Sequence, residues 1–338
     1  MSKTTDMHVN HHEFVIKRLA SGGLITNYYC TSRCRHCLYA CSPNWEKKYI
    51  DLETTEKNLR KIKSLGCRSI HIGGGEPFLN PDGLKMVLET AESVGVRIEY
   101  VETNSSWFKD RGSACRILLS LKEKGLSTLL VSMSPFHNEH IPFWKVKGVM
   151  EACHVAGIGV FPWIREFYDE ITGLGDETTH TLPEYEDRYG PDYMRRLPSR
   201  YWIHFGGRAV KTFVNVFGTR PLEEILSDGR RGCTELLDVS HFHFDLFGNY
   251  IPGLCAGLAI DGNDLGQPLS RQEYPILYTL FERGVAGLYE LATEQYGFKA
   301  ASGYMSKCHL CLEIRRYLAL SVKIDSMELR PLPFYENI

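Results

Sequence analysis

The chain has 338 residues, enough for one large domain or two, and its 43% hydrophobic and 24% charged content is ordinary for a soluble globular protein. Its net charge of -2 argues against a nucleic-acid-binding protein, since such proteins carry a strongly basic surface. No apolar run approaches the roughly 18 residues of a membrane span, and the polar stretch from Met1 to Glu13 does not resemble a signal peptide. We therefore expect a cytoplasmic protein without a membrane partner.

Short apolar strands alternate with helical patterns over the first half of the chain. Strands are predicted near 23–29 and at 69–72, 97–101, 128–132 and 159–164, and helices at 52–65, 82–94, 114–124 and 143–156. This alternation favours a parallel sheet with helical crossovers, and hence the α/β fold class. In such folds the functional loops follow the carboxyl ends of the strands.

The polar stretch from Asp169 to Arg200 is broken by glycines and prolines. It predicts a long loop or a helical insertion. The apolar and aromatic run Tyr201–Phe205 that follows it predicts a sixth strand.

Three of the eleven cysteines, Cys30, Cys34 and Cys37, directly follow the first strand in the spacing C-x3-C-x2-C. A short loop with this spacing can wrap three thiolates around one face of a metal cluster. A four-iron cluster usually takes four cysteines, so one iron would remain open for a ligand. The alternatives are a zinc knuckle, although zinc favours four ligands, and a disulfide pair, which is unusual in a large chain without export signals.

The second strand runs into Gly73-Gly74-Gly75-Glu76-Pro77. Such a run can be a simple tight turn, but glycine also lets the backbone approach a ligand closely. The cysteine spacing, with His36 directly before the third cysteine, and the sequence Gly74–Pro77 on the next strand together resemble the radical S-adenosylmethionine (SAM) superfamily.

This resemblance implies a partial (β/α)6 TIM-like barrel. It also implies a [4Fe-4S] cluster on Cys30, Cys34 and Cys37, whose open iron chelates SAM. The Gly74, Gly75, Glu76 and Pro77 loop would bind the methionyl amine of SAM, and His36 would lie beside its adenine. Three further SAM contacts are expected at the ends of the third, fourth and fifth strands: Asn104, Ser132 and Arg165. The alternatives are a strand-end cap for Asn104 or Ser132 and an ordinary surface arginine for Arg165.

A second group of cysteines, Cys233, Cys255, Cys308 and Cys311, occupies the last third of the chain, and its final pair has the spacing C-x2-C. Four cysteines in this pattern suit a zinc site. The segment from Phe242 to Cys255 reads as a hairpin with its turn at Gly248-Asn249. The hairpin and the cysteine that follows it resemble the Twitch form of the SPASM extension of radical SAM enzymes, which implies an auxiliary [4Fe-4S] cluster on these four thiolates.

Other features of the chain remain open. Cys41 is expected to be a buried small side chain rather than a redox group. His241, His243 and Asp245 share one strand face, which can be a metal or proton-relay trio but is more simply a solvated hairpin face. The segment from Pro275 to Tyr296 predicts an amphipathic helix that packs the extension against the barrel.

We divide the chain into four predicted regions. These are an N-terminal extension (1–22), a radical SAM core (23–228), a Twitch/SPASM-like auxiliary cluster domain (229–325) and a C-terminal tail (326–338).

The resemblance implies reductive cleavage of SAM to a 5′-deoxyadenosyl radical that abstracts hydrogen from a substrate, with the cluster supplying the demanding chemistry. The auxiliary cluster suggests oxidation of the substrate radical, that is, dehydrogenase-type oxidoreductase activity on a small molecule, with a flavodoxin or ferredoxin-type electron donor. The alternatives are a radical epimerase, a peptide or protein maturase, and a zinc or iron–sulfur carrier without SAM chemistry.

Overall fold

The computed structural model describes residues 13–162 and 164–338. The first twelve residues of the predicted N-terminal extension, which include most of the polar stretch judged not to be a signal peptide, lie outside these ranges. No helix of the described chain is long and apolar enough to cross a membrane.

Strands and helices alternate through the first half of the chain, as the sequence predicts. The helix boundaries follow local capping: Asp51 accepts a hydrogen bond from the Thr54 backbone N–H at the start of the first helix, and Gly157, with φ 64°, ends the last one. The strands are β1 (Gly22–Ile25), β2 (Ser69–Gly73), β3 (Arg97–Thr103), β4 (Thr128–Val131) and β5 (Gly159–Pro162), and the helices are α1 (Leu52–Ser64), α2 (Pro81–Val94), α3 (Arg111–Lys122), α4 (Pro135–Asn138) and α5 (Phe143–Ala156).

These five strands are parallel and lie in the order β5-β4-β3-β2-β1. Side chains on both sheet faces are buried: Leu24, Ile70, Ile72 and Leu129 on one face, and Ile25 and Leu130 on the other, as expected for a parallel sheet covered on both sides. All the loops that follow the strands therefore emerge at one edge of the sheet. The predicted α/β class, with a parallel sheet of the partial-barrel type, is confirmed.

The predicted sixth strand at 201–205 is wrong. The chain there has no strand pairing. Residues Tyr201 to His204 line a cavity instead of extending the sheet. The polar stretch before it is a helical insertion, made of α6 (Glu166–Leu174), α7 (Leu182–Tyr189) and α8 (Tyr193–Arg200).

The sheet instead continues on the far side of β1. The predicted hairpin forms, and its first strand pairs in parallel with β1, with Gly23 opposite His243. Its turn lies at 246–248, where Gly248 has φ 82°, one residue before the predicted position. The remaining elements are α9 (Arg208–Phe217), β6 (Arg220–Pro221), α10 (Leu222–Asp228), β7 (Phe242–Asp245), β8 (Asn249–Ile251), β9 (Ile260–Asp261), α11 (Pro275–Tyr296), β10 (Gly303–Tyr304), α12 (Lys307–Arg316) and α13 (Leu332–Asn337).

The interpretation of His241, His243 and Asp245 as a solvated hairpin face is also wrong, because β7 is internal to the sheet. His243 is 4% exposed and Asp245 is fully buried. The Asp245 carboxylate accepts hydrogen bonds from the backbone N–H of Phe247 and Asn249 and from the Tyr28 hydroxyl. It therefore stabilises the hairpin turn and does not join the two histidines.

Candidate active site

The cysteine loop leaves β1 at the carboxyl edge of the sheet and folds back on itself. The Cys30 backbone N–H donates to the Ser42 carbonyl, and the Cys37 N–H donates to the Cys34 carbonyl, a tight turn inside the loop. These bonds bring Cys30, Cys34 and Cys37 to the wall of one cavity of about 220 Å³.

Burial controls the protonation of these thiols. It raises the pKa of Cys30 to about 12 and that of Cys34 well above its ordinary value. Thiols that lose their protons this reluctantly become thiolates when a metal replaces the proton, so metal binding at this loop would release protons.

Cys41 belongs to the same group, which sequence reasoning missed. It is buried, as predicted, but it also lines the cavity. The adjacent Cys41 thiol is the main reason that the pKa of Cys37 is lowered to about 6. Cys41 follows Cys37 by four residues, and this short spacing could have indicated that the two thiols lie close together.

The glycine-rich loop after β2 packs directly against the base of the cysteine loop. The Gly75 backbone N–H donates to the Asn27 carbonyl at 2.7 Å, and the Glu76 N–H donates to the Tyr29 carbonyl at 3.2 Å. A Cβ atom on Gly75 would overlap the Tyr29 carbonyl oxygen, so this close approach requires glycine.

The predicted members of this loop have different positions. Gly74, Gly75 and Pro77 line the cavity. Glu76 is fully buried, and its carboxylate accepts hydrogen bonds from the Asn104 backbone N–H at 2.6 Å and the Thr103 hydroxyl at 3.0 Å. Burial raises the pKa of Glu76 to about 7. Glu76 thus joins the ends of β2 and β3 and lies behind the cavity wall.

Asn104 and Ser132 follow β3 and β4 and both line the cavity. The Asn104 side-chain amide donates to Cys30 Sγ at 3.3 Å and to Ser32 Oγ at 3.4 Å. Ser132 is held by its backbone N–H, which donates to the Thr103 carbonyl.

His36 lies in an aromatic group at the cavity wall. Its ring stacks on Phe136 with a centroid distance of 4.7 Å, and its Nε2 is 3.3 Å from the Tyr201 hydroxyl. Burial lowers its pKa well below the usual range, so the ring is neutral. Its Nδ1 atom is buried without a hydrogen-bond partner in the described chain, an atom that a ligand in the cavity could satisfy.

Arg165 is not brought to this site. It is exposed at the start of α6 and is not among the residues that line the cavity.

Arg208, at the start of α9, is a site residue that sequence reasoning missed. Its buried guanidinium donates to the carbonyls of Cys34 at 2.9 Å, Cys41 at 2.6 Å and Asn337 at 3.3 Å. A positive charge is thus fixed beside the cysteine loop, where it favours thiolates. Hydrogen bonds to main-chain carbonyls leave no sequence pattern that could have revealed it.

Comparison with known proteins gives this site a family. Residues 24–188 match the model of the family described as "Radical SAM superfamily", and this range contains the cysteine loop, the glycine-rich loop, Asn104 and Ser132. This part of the chain belongs to the radical SAM superfamily.

Two curated proteins resemble parts of this chain. "Molybdenum cofactor biosynthesis protein 1" of Bos taurus is 28% identical over 159 residues, which are 45% of this chain and 23% of that protein. "GTP 3',8-cyclase" of Aquifex aeolicus (strain VF5) is 26% identical over 115 residues, which are 32% of this chain and 33% of that protein. The chain thus matches only a quarter to a third of the length of either relative.

A solved structure, "Native anSMEcpe with bound AdoMet", superposes with a TM-score of 0.45 at 13% identity and covers 90% of this chain and 98% of its own.

The second cysteine set lies beyond the matched radical SAM residues. Cys233 precedes a helical turn, Cys255 follows the hairpin, and Cys308 and Cys311 lie one turn apart at the start of α12. All four line a second cavity of about 80 Å³. Burial raises the pKa of Cys255 to about 12 and that of Cys308 to about 11.

The charges around this second cavity are mainly positive. Arg231, Lys307 and Arg315 line it together with one acid, Glu235. The Lys307 ammonium is paired with Glu235 at 2.6 Å. Buried Arg315 lies near Cys255 and Cys311. The surroundings therefore suit a group that carries negative charge.

Proposed function

We propose that this protein is a radical SAM enzyme that cleaves SAM reductively and abstracts hydrogen from a substrate. One observation carries the proposal: the three thiols of the cysteine loop and the glycines of the Gly74–Pro77 loop line a single cavity. A zinc knuckle or a carrier protein gives no reason for the glycine-rich loop to pack against the cysteines.

The residues at the first cavity fit an iron–sulfur cluster. Cys30, Cys34 and Cys37 supply three soft thiolate ligands, and Asn104 and Arg208 stabilise negative charge on the sulfur atoms. When bound there, a [4Fe-4S] cluster supplies the electron that cleaves SAM into methionine and a 5′-deoxyadenosyl radical.

The chain's own residues orient SAM. In this proposal Gly74 and Gly75 present main-chain polar groups to the methionyl amine, and His36 offers its partnerless Nδ1 and its aromatic face to the adenine. Ser132 offers its hydroxyl to the ribose or carboxylate. Arg165, exposed outside the cavity, would have to change position to contribute, and we leave it out of the proposed site.

The second cavity fits an auxiliary [4Fe-4S] cluster of the Twitch type, held by Cys233, Cys255, Cys308 and Cys311. The positive side chains around it balance the negative charge of four thiolates, whether these hold a cluster or zinc. When bound there, the cluster supplies an acceptor for the electron of a substrate radical, which makes the reaction a two-electron oxidation. A four-cysteine zinc site is the competing occupant.

Epimerisation is the second candidate, and one observation favours it. An epimerase needs a hydrogen donor beside the substrate radical, and Cys41 is a thiol on the wall of the first cavity. Oxidation would lower the substrate mass by two hydrogens. Epimerisation would leave the mass unchanged and would take up deuterium from heavy water, and it would be lost in Cys41→Ala.

The experiment is SAM cleavage by the anaerobically reconstituted and chemically reduced protein. We expect 5′-deoxyadenosine to form with the natural sequence and with Cys115→Ala, a half-buried cysteine on α3 outside both sets, and to be absent with Cys34→Ala. Failure of the natural sequence to form 5′-deoxyadenosine, with about four irons bound at the first site, would contradict the proposal.

A further inference from the structure

Three histidines that the proposed SAM chemistry does not use meet at the sheet. His71 is on β2, His243 is at the equivalent position on β7, and His241 directly precedes β7. One nitrogen from each ring lies within 4.8 Å of the other two, and the Nε2 atoms of His71 and His243 are 3.0 Å apart.

The strand order creates this meeting. β1 lies between β2 and β7, and Gly23 of β1 is paired with His71 on one side and His243 on the other. A Cβ atom on Gly23 would overlap the His71 ring. Glycine at this position therefore leaves the space in which two imidazoles from non-adjacent strands touch.

Neighbouring groups orient the rings. The Tyr39 hydroxyl is 2.7 Å from His243 Nδ1, which leaves Nε2 of that ring facing His71. The Tyr100 ring stacks on His71 with a centroid distance of 5.1 Å. Outer partners of this kind fix the rings of metal-binding histidines.

A carboxylate lies beside the three rings. Glu102 Oε1 is 3.9 Å from His71 Nε2, and Glu102, His241 and His243 all line the same cavity as the cysteine loop. Two nitrogen ligands of a tetrahedral zinc ion are roughly 3.4 Å apart, which falls inside the observed range of separations.

The rings are also in the form that binds metal. Burial lowers the pKa of His71 to about 3, and it lowers the pKa of His243 well below the usual range and that of His241 in the same direction. Neutral imidazole supplies the lone pair that a metal ion needs.

We infer that His71, His241 and His243 form a binding site for one divalent metal ion of the imidazole-preferring class, such as Zn²⁺ or Fe²⁺, separate from both cysteine sites. The ion would retain a coordination position toward the cavity, with Glu102 beside it. Three histidines with an open fourth position are typical of sites that bind an oxygen or nitrogen donor of a substrate. Only that last role rests on the proposed function; the metal site itself does not.

The test is zinc binding to the cluster-reconstituted protein, followed by Zn K-edge X-ray absorption. We expect about one zinc per chain with nitrogen or oxygen neighbours at about 2.0–2.1 Å; sulfur neighbours at about 2.3 Å would place zinc at the cysteines. His243→Ala, His241→Ala and the milder His241→Gln should each lose this zinc while iron content stays unchanged. His154→Ala, an exposed histidine on α5, should keep it.

Two results would overturn the inference: zinc bound only through sulfur, or nitrogen-bound zinc that persists in both His241 variants. His241 is only half-buried, so we expect its replacement to destabilise the fold less than replacement of the buried His243. The readout does not involve SAM. A protein that binds this zinc but fails to cleave SAM would contradict the proposed function and leave the metal site standing.

Discussion

The side-chain amide of Asn104 donates a hydrogen bond to the Sγ atom of Cys30 across 3.3 Å. A donor at this sulfur stabilises negative charge on it, and hydrogen bonds to cluster ligands are one of the factors that set an iron–sulfur reduction potential.

We expect Asn104→Asp to lower the reduction potential of a cluster at the first site. The aspartate retains the oxygen that accepts from the Ser106 N–H but replaces the donor to Cys30 with a negative charge. Because a cluster of lower potential is harder to reduce, less of it is reduced at a given reductant potential, and SAM cleavage with a limiting reductant should slow by about tenfold. An EPR-monitored redox titration measures the potential, and Asn44→Asp, at an exposed position, is the control. Equal potentials in the two variants would contradict the role of Asn104.

Iron counting tests the second cysteine set. We expect about eight irons per chain in the natural sequence and about four in the double variant Cys308→Ala with Cys311→Ala, on the basis of four irons per cluster. The pair Cys67→Ala with Cys115→Ala, outside both sets, should retain about eight. A natural protein with about four irons and sulfur-bound zinc would instead identify the second site as a zinc site.

Arg208 connects the cysteine loop to the C-terminal helix α13 through its bonds to Cys34, Cys41 and Asn337. Arg208→Ala removes three charge-assisted hydrogen bonds and should lower the free energy of unfolding by about 3 kcal/mol or more. Arg208→Lys should lower the free energy of unfolding by a smaller amount than Arg208→Ala. It should still be less stable than the natural protein, because an ammonium lacks the planar guanidinium that reaches several carbonyls.

The measurement is urea unfolding combined with iron analysis. Arg195→Ala is the control: this exposed arginine donates to a single carbonyl, that of Val216, at 2.8 Å. It should cost under about 1 kcal/mol. If Arg208→Ala cost no more than the control and kept its iron, the connection would be structurally unimportant.

Glu328 predicts a pH dependence of stability. Its fully buried carboxylate accepts from the backbone N–H groups of Ile276 and Leu277 at the start of α11, and burial raises its pKa from 4.5 to about 7. Between these values the unfolded chain releases a proton that the folded chain retains, so the contribution of Glu328 to stability is present below about pH 4.5 and is lost as the pH rises through 7.

The stability of the natural protein relative to Glu328→Gln should therefore fall by about 3 kcal/mol between pH 4.5 and 8. Urea unfolding across this pH range measures the difference. The control Glu336→Gln, at an exposed glutamate on α13, should show no such trend. A flat difference for Glu328→Gln would mean that the two backbone bonds offset the cost of burial.

Local patterns in the sequence predicted the local structure well. The helix Phe143–Ala156 has the expected ends because Gly157 fixes one of them. Pro275–Tyr296 is helical as its apolar spacing indicates, except for a kink at Gly284, where φ is 64°. The cysteine and glycine-rich loops come together because both follow parallel strands, whose carboxyl ends share one edge.

Contacts between distant segments were not predictable in the same way. The run 201–205 has strand composition, but it pairs with no strand and borders the cavity instead. His71 and His243 are 172 residues apart, and they meet because β7 inserts beside β1, a pairing that no local pattern specifies. Arg208 likewise donates hydrogen bonds to main-chain carbonyls. Since every residue has a carbonyl, the sequence does not identify these partners.

The pairing of β7 with β1 has a consequence for how this protein could be divided. The strand that leads into the cysteine loop holds β2 on one edge and β7 on the other. A cut after residue 228 would remove β7 and expose the main-chain N–H and C=O groups of β1 along its full length. The segment that carries the C-terminal cysteines therefore cannot be removed without exposing an edge of the central sheet. A shortened relative would need another segment to cover this edge.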